Sequence, residues 1–332
     1  MHDSSVQTQS SSPLTRRSAR RIGYSMALGA GILWGTTGPL STALYAEGAA
    51  LTAVGFWRVL LGGVALGLWG LKHPELFRVD RRGVVLVGLF GGICVAGFEV
   101  AYQFAIAGVG VAGAAALLYT APVIVAIAAR LVLGEALTPL RLVLAFGVML
   151  GAALTVRGGS GVETLFSSER QGVVLGVAGG LIAAASYAGT TLIARYAVPR
   201  YGPERVLFLE IAGATVLLAV LLPAIGETPV PPTGAGAWVY MGLLAAGTVL
   251  AANFLFFGAL RRVEAAPVSV AATIEPVAGA VLAFALLGQD LSAMGWAGLL
   301  LVVASVAAGY VREGLRASPR PEPQSDPRAV ER

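Results

Sequence analysis

Leu117–Leu137 reads LLYTAPVIVAIAARLVLGEAL, and Ala271–Leu291 reads AATIEPVAGAVLAFALLGQDL. The two stretches align without a gap at a spacing of 154 residues. Pro122 then faces Pro276, Val123 faces Val277, Ala126 faces Ala280 and Ala129 faces Ala283. Leu133-Gly134 faces Leu287-Gly288, and Leu137 faces Leu291. The register runs on upstream. Gly35-Thr36-Thr37 faces Gly189-Thr190-Thr191, Gly88-Leu89 faces Gly242-Leu243, and Ala105 faces Ala259. A long hydrophobic repeat of this kind sets the architecture before any single motif does.

The chain is 56% hydrophobic and 12% charged, with a mean hydropathy of +0.78. An ordinary soluble domain is about 25% charged, so this composition implies a chain embedded in membrane. A basic pI near 9.7 would suit nucleic acid. The basic residues, however, fall mostly in short gaps between apolar runs, so no nucleic-acid partner is expected. Cys94 is the sole cysteine and His2 and His73 are far apart, which leaves no disulfide within the chain, no metal-site spacing and no cofactor.

Spanning a bilayer takes about 20 apolar residues. Ten runs meet this, roughly at 23–45, 52–71, 83–106, 110–133, 139–157, 172–197, 204–223, 237–259, 265–287 and 293–311. The reading is all-α and integral to the membrane, with ten transmembrane helices as two inverted five-helix repeats. The expected organisation is a disordered leader at 1–21, a first repeat at 22–157, a linker at 158–171, a second repeat at 172–312 and a disordered tail at 313–332. RRSARR before the first run resembles a secretory signal, but 23–45 is longer than a signal core and belongs to the repeat. Placing both termini in the cytoplasm puts 20 basic residues inside, leaves Arg157 and Arg170 outside, and leaves Arg58 within a helix. A bacterial inner (plasma) membrane is the expected location. Because five is odd, the second half enters the membrane from the opposite side, as in secondary transporters that bind substrate near mid-membrane.

The chain resembles the ten-helix branch of the drug/metabolite transporter superfamily, with two tandem EamA-like domains, over about 22–312. The resemblance rests on Trp34-Gly35 and on a proline-bearing fourth helix in each half. Each such helix is followed by Leu133-Gly134-Glu135 or Leu287-Gly288-Gln289. Asn253–Ala266, NFLFFGALRRVEAA, completes the pattern. The second half carries Gln289 where the family often has Glu. The resemblance implies transport of small metabolites, commonly export of amino acids or related compounds. It also implies a central cavity lined chiefly by helices 1, 3, 4, 6, 8 and 9.

Polar groups in the bilayer core are costly and mark pathways or partners. Glu275 falls near the middle of helix 9, just before Pro276. That proline removes a backbone donor and leaves a carbonyl expected to face the cavity. A carboxyl there suits amine binding or proton coupling; the alternative is a neutral Glu bonded to a neighbouring helix. Glu99 shares a helix face with Tyr102 and Gln103, and its repeat mate is Asn253. Arg58 lies at a depth similar to Glu99, so a pair gating the outer mouth is expected, against an Arg58 that snorkels to the interface. Trp34, Thr37, Tyr187, Thr190, Tyr119 and Thr273 are the remaining cavity candidates. Hydroxyls at such places also serve as helix–helix glue. Glu210 is read as structural or snorkelling, and Glu135 as a cap on the turn into helix 5. Gly147, Gly151 and Ala152 form a small-residue face that could join helix 10 or a second protomer.

The sequence has no G-x-x-x-x-G-K-[ST] stretch, so it encodes no ATP motor of that kind. The expected partners are a small-molecule substrate, the lipid bilayer and a proton, with a homodimer open. An intramembrane enzyme acting on a lipid or isoprenoid is the rival reading, and it lacks the clustered carboxylates or histidines such chemistry usually needs.

Overall fold

A computed structural model describes residues 13–157, 170–287 and 292–316. Among these residues every regular element is helical, and the helices make ten spans. Span 1 is Pro13–Gly35 followed by Thr37–Ala46, and span 2 is Leu51–Lys72. Span 3 opens with Arg81–Gly83, passes through a π-helical stretch, Val84–Gly91, and enters Gly92–Leu118. The end of that helix begins span 4, which Ala121–Leu133 completes. Span 5 is Pro139–Arg157, span 6 Arg170–Tyr201 and span 7 Pro203–Ala224. Span 8 is Ala235–Leu244, a second π-helical stretch Ala245–Ala251, and Ala252–Leu260. Span 9 is Ala265–Ala272 then Glu275–Leu287, and span 10 is Ala293–Arg316.

Gly92–Leu118 is helical throughout in its hydrogen bonding, yet it serves two spans. Gly179 of span 6 lies against Ala101 and Ala105, and the next residue, Gly180, lies against Leu117. A straight helix would put Ala101 and Leu117 about 24 Å apart, too far to touch adjacent residues. The helix therefore does not run straight between them, where the third apolar run ends at 106 and the fourth begins at 110.

Five stretches are long and apolar enough to cross a membrane unbroken: Thr52–Lys72, Arg81–Tyr102, Val174–Tyr201, Pro203–Ala224 and Ala235–Leu260. Spans 4 and 9 miss that measure because each is interrupted, and span 1, also broken at Thr36, because its long helix Pro13–Gly35 is too polar. The interruptions in spans 4 and 9, at Tyr119–Thr120 and Thr273–Ile274, are 154 residues apart, like the prolines that follow them. Threonine hydroxyls bond back to the helix at all three breaks: Thr36 Oγ1 donates to the Leu33 carbonyl at 2.7 Å, Thr120 Oγ1 to Leu117 at 2.7 Å, and Thr273 Oγ1 to Ser269 at 2.9 Å.

The Pro276 effect differs from expectation. The carbonyl deprived of its donor is that of Ala272, and it does not face a cavity. Gly31 of span 1 covers it so closely that a Cβ on Gly31 would lie 2.2 Å from the Ala272 oxygen. Gly35, one turn on, sits against Ala278 and the Glu275 carbonyl. Two glycines four residues apart thus bring the span 1 backbone onto the break in span 9, the small-residue logic of membrane helix crossings.

Other glycines make similar crossings. Gly213 of span 7 meets the Gly88 carbonyl of span 3, and Gly151 of span 5 meets Gly298 and Val302 of span 10. The small face Gly147, Gly151 and Ala152 is thereby taken up by span 10, around buried Ala145, Val148, Val302 and Val306.

The first helix begins at Pro13, inside the stretch expected to be a disordered leader. Arginine and alanine are good helix formers and carry the helix past the apolar run. Likewise span 10 runs to Arg316, into the expected tail. Most of the expected linker, and Gly288, Gln289 and Leu291 of the second repeat motif, lie outside the described residues.

Candidate transport site

Glu275 is the first residue of the second half of span 9, immediately after the break. The break fixes its place, because Gly31 and Gly35 hold both sides of it against span 1. Glu275 is half-buried rather than sealed. Its charge acts on the phenols of Tyr102, Tyr119 and Tyr187, which come from spans 3, 4 and 6, and the charge of Arg58 from span 2 acts on it. Groups from five spans therefore lie within electrostatic reach of one another. Tyr102, Tyr187 and Arg58 are half-buried, while Tyr119 is 7% exposed.

Arg58 Nη2 donates to Glu99 Oε1 at 2.5 Å. Their matched depth in spans 2 and 3 makes the contact possible, and Gly55, one turn before Arg58, makes room for it. A Cβ on Gly55 would lie 2.9 Å from Glu99 Oε2. The pair is not fully satisfied. Among the described residues Arg58 Nε and Glu99 Oε2 are buried without a hydrogen-bond partner, an uncommon state in a settled core. Phe98 and Tyr102 stack with ring centroids 5.4 Å apart beside it. Tyr45, in the second half of span 1, feels the charges of both Arg58 and Glu99. Sequence reasoning passed over Tyr45, because nothing in the repeat distinguishes it from other tyrosines at helix ends.

A second cluster is aromatic. Trp34 lies 6.1 Å from Tyr187 edge-on and 5.1 Å from Phe256, and Tyr187 lies 5.9 Å from Phe256. The Trp34 indole N–H donates to the Thr248 carbonyl at 3.0 Å, within the π-helical stretch of span 8. Asn253 Nδ2 donates to the carbonyls of Val249 at 2.8 Å and Thr248 at 3.3 Å. Asn253 therefore braces its own helix rather than mirroring the ion pair of its repeat mate Glu99. π-turns recur at functional sites because they reposition side chains and carbonyls. Phe256 was missed from sequence, although it stands inside the Asn253–Ala266 segment that carried the resemblance.

The remaining candidates are less engaged. Thr273 is buried and bonded to its own helix. Thr37 and Thr190 are half-buried, whereas Thr191 is fully buried and donates to the Tyr187 carbonyl at 2.8 Å. The side chain of Gln103 lies outside the described residues.

Of the two readings for Glu210, structural or snorkelling, the burial excludes snorkelling, and Glu135 sits differently from expectation. Glu210 is 1% exposed, its Cγ packs on Gly91 of span 3, and among the described residues its Oε1 has no partner. Glu135 does not cap the turn into span 5. Gly134, at φ +67°, makes that turn by itself, as glycine does at helix ends. Glu135 instead accepts the backbone N–H of Ala265 with both oxygens at 3.1 Å and the Arg195 Nε–H at 3.1 Å. Arg195 also donates to the Leu260 carbonyl. Beside these contacts Arg141 pairs with Glu264 and donates to the Ala136 carbonyl at 2.5 Å. These bonds tie the first repeat to the second across the arginine-rich end of the bundle.

A transport role for such a bundle agrees with what the chain is similar to. It is 30% identical over 279 residues to the "Uncharacterized transporter YwfM" of Bacillus subtilis (strain 168), covering 82% of this chain and 88% of that protein. A solved structure, described only as "Crystal structure of protein", matches with a TM-score of 0.72 at 21% identity, over 91% of this chain and 99% of that one. That likeness shows the fold. The model of the EamA-like transporter family matches residues 21–157 and 174–309, one match to each repeat, and the chain belongs to that family.

Proposed function

We propose that the protein is a secondary transporter that exports amino acids or related small metabolites by alternating access. The observation that carries this reading is the convergence of Arg58, Tyr102, Tyr119 and Tyr187 on half-buried Glu275, at the one place where span 9 is broken. The proposed orientation puts the arginine-rich end, and both termini, on the cytoplasmic side of a bacterial inner membrane. The bonds of Glu135, Arg195, Arg141 and Glu264 then form the cytoplasmic closure, and the Arg58–Glu99 pair lies toward the outer mouth.

In this reading Glu275 receives the substrate amine or a proton, and the tyrosines orient the substrate by their hydroxyls and ring faces. Trp34 forms the apolar wall, backed by buried Phe256. Rocking one repeat against the other opens the space to each side in turn.

The test is transport by pure protein in proteoliposomes, assayed with amino acids, nucleobases and sugars, with and without a proton gradient. Uptake of an amino acid in exchange for protons, abolished by Glu275→Gln, supports the reading. No movement of any compound under either condition overturns it. Unchanged pH dependence in Glu275→Gln overturns the coupling role alone.

A further inference from the structure

A crevice apart from the transport site opens between spans 1, 5, 9 and 10 at the arginine-rich end. Its enclosed part is small, about 30 Å³, and it opens to the surroundings. Tyr24, Thr138, Arg141 and Arg312 form its polar end. Arg312 is exposed and pairs with no acid among the described residues. Arg20 lies near enough for its charge, with that of Arg141, to act on the Tyr24 phenol. Away from these groups the walls are apolar: Leu140, Leu144, Val270 and Val306. Gly309 keeps the crevice open beside Leu144, where a Cβ would come within 3.4 Å of Leu144 Cδ1.

Cationic groups at one end of an apolar slot, at the depth of the membrane surface, match one kind of occupant. We propose that this crevice binds an anionic phospholipid, with its phosphodiester at Arg312, Tyr24 and Thr138 and an acyl chain along Leu144 and Val306. Basic pockets between membrane helices on the cytoplasmic side select anionic headgroups in this way. The inference rests on the orientation proposed above. Arg141 gives it a consequence, because the same side chain that lines the crevice pairs with Glu264 in the closure. A lipid phosphate arriving beside Arg141 competes for that guanidinium and loosens the tie between span 5 and the start of span 9.

Native mass spectrometry of the full chain in detergent tests the site without any transport assay. Phosphatidylglycerol, phosphatidylcholine and inorganic phosphate are added in separate arms. Phosphatidylglycerol should be retained about fivefold more than phosphatidylcholine, and Arg312→Gln should remove that preference. Leu144→Trp, which fills the slot, should cut retention of both lipids. Equal retention of the two lipids, or an unchanged preference in Arg312→Gln, overturns the proposal. Displacement of the lipid by inorganic phosphate assigns the site to free phosphate and also overturns it. A protein that transports but shows no lipid preference sinks this inference and leaves the transport reading standing.

Discussion

Glu135, just beyond the end of span 4, accepts the backbone N–H of Ala265, the first residue of span 9, with both carboxylate oxygens at 3.1 Å. The first repeat thus caps a helix of the second. The opening N–H groups of a helix lack intrahelical acceptors, and a carboxylate at that end also meets the positive pole of the helix. Arg195 adds a third bond from span 6. Glu135→Ala should lower stability by about 1–2 kcal/mol, the usual worth of a lost cap. Glu135→Gln keeps an acceptor oxygen and should lose less. Thermal unfolding in detergent reads both variants. Equal losses would mean that charge, rather than capping, carries the contact.

The repeat was legible in the sequence because prolines and glycines must stand at fixed places, and 154-residue periodicity in Pro122/Pro276 and Gly134 survives the loss of other identities. The breaks at Tyr119–Thr120 and Thr273–Ile274 follow from the prolines. The crossing partner of each break did not follow. That Ala272 faces Gly31 rather than a cavity depends on how close two backbones come, and hydropathy carries no record of that distance. The same limit explains Glu135, and why the structural and snorkelling readings of Glu210 stayed open. Charge pattern gives an acid's depth in the membrane, but the neighbouring span that meets it is a property of the bundle. Arg58 and Glu99 were easier, because two opposite charges at one depth in adjacent spans have few alternatives.

The Arg58–Glu99 contact makes a double-mutant cycle informative. Removing one member leaves the other charge buried, at a cost of about 3–5 kcal/mol. Removing both leaves no orphan charge. Transport rate and thermal stability should therefore fall more in Glu99→Ala than in Arg58→Ala/Glu99→Ala. Additive losses across the cycle would show that the two side chains do not act together.

The crossing of spans 1 and 9 predicts a severe effect from the smallest substitution. In Gly31→Ala the new methyl would meet the Ala272 backbone oxygen at 2.2 Å, so the helices must separate and Glu275 must shift with them. Transport should be lost and the unfolding temperature should fall. Gly67→Ala in span 2 meets nothing within 4 Å, and alanine is the better helix former by up to about 1 kcal/mol. That variant should be at least as stable as the parent and should transport normally. A tolerated Gly31→Ala, with transport intact, would show that span 9 does not depend on this contact.

At the arginine-rich end, Asp80 supplies a pH dependence whose sign can be worked out. Tyr201, the last residue of span 6, donates its hydroxyl to Asp80 Oδ1 at 2.7 Å, and the Gly83 backbone N–H donates to the same oxygen at 3.0 Å. Both bonds favour the ionised carboxylate, so its pKa lies below the ordinary 3.8. A carboxylate with a depressed folded pKa adds stability that is fully present above the unfolded value. That stability is lost as pH falls through the lower, folded value. The tie between the start of span 3 and the corner after span 6 should hold at pH 7 and weaken below about pH 4. Tyr201→Phe removes the larger of the two bonds, so it should lower the unfolding temperature at pH 7. The same substitution should make less difference at pH 3, because the Asp80 charge it acts on is lost on acidification. Unfolding scans of the two proteins in detergent at both pH values decide it. A Tyr201→Phe deficit that grows on acidification would show that the phenol does not act through the Asp80 charge.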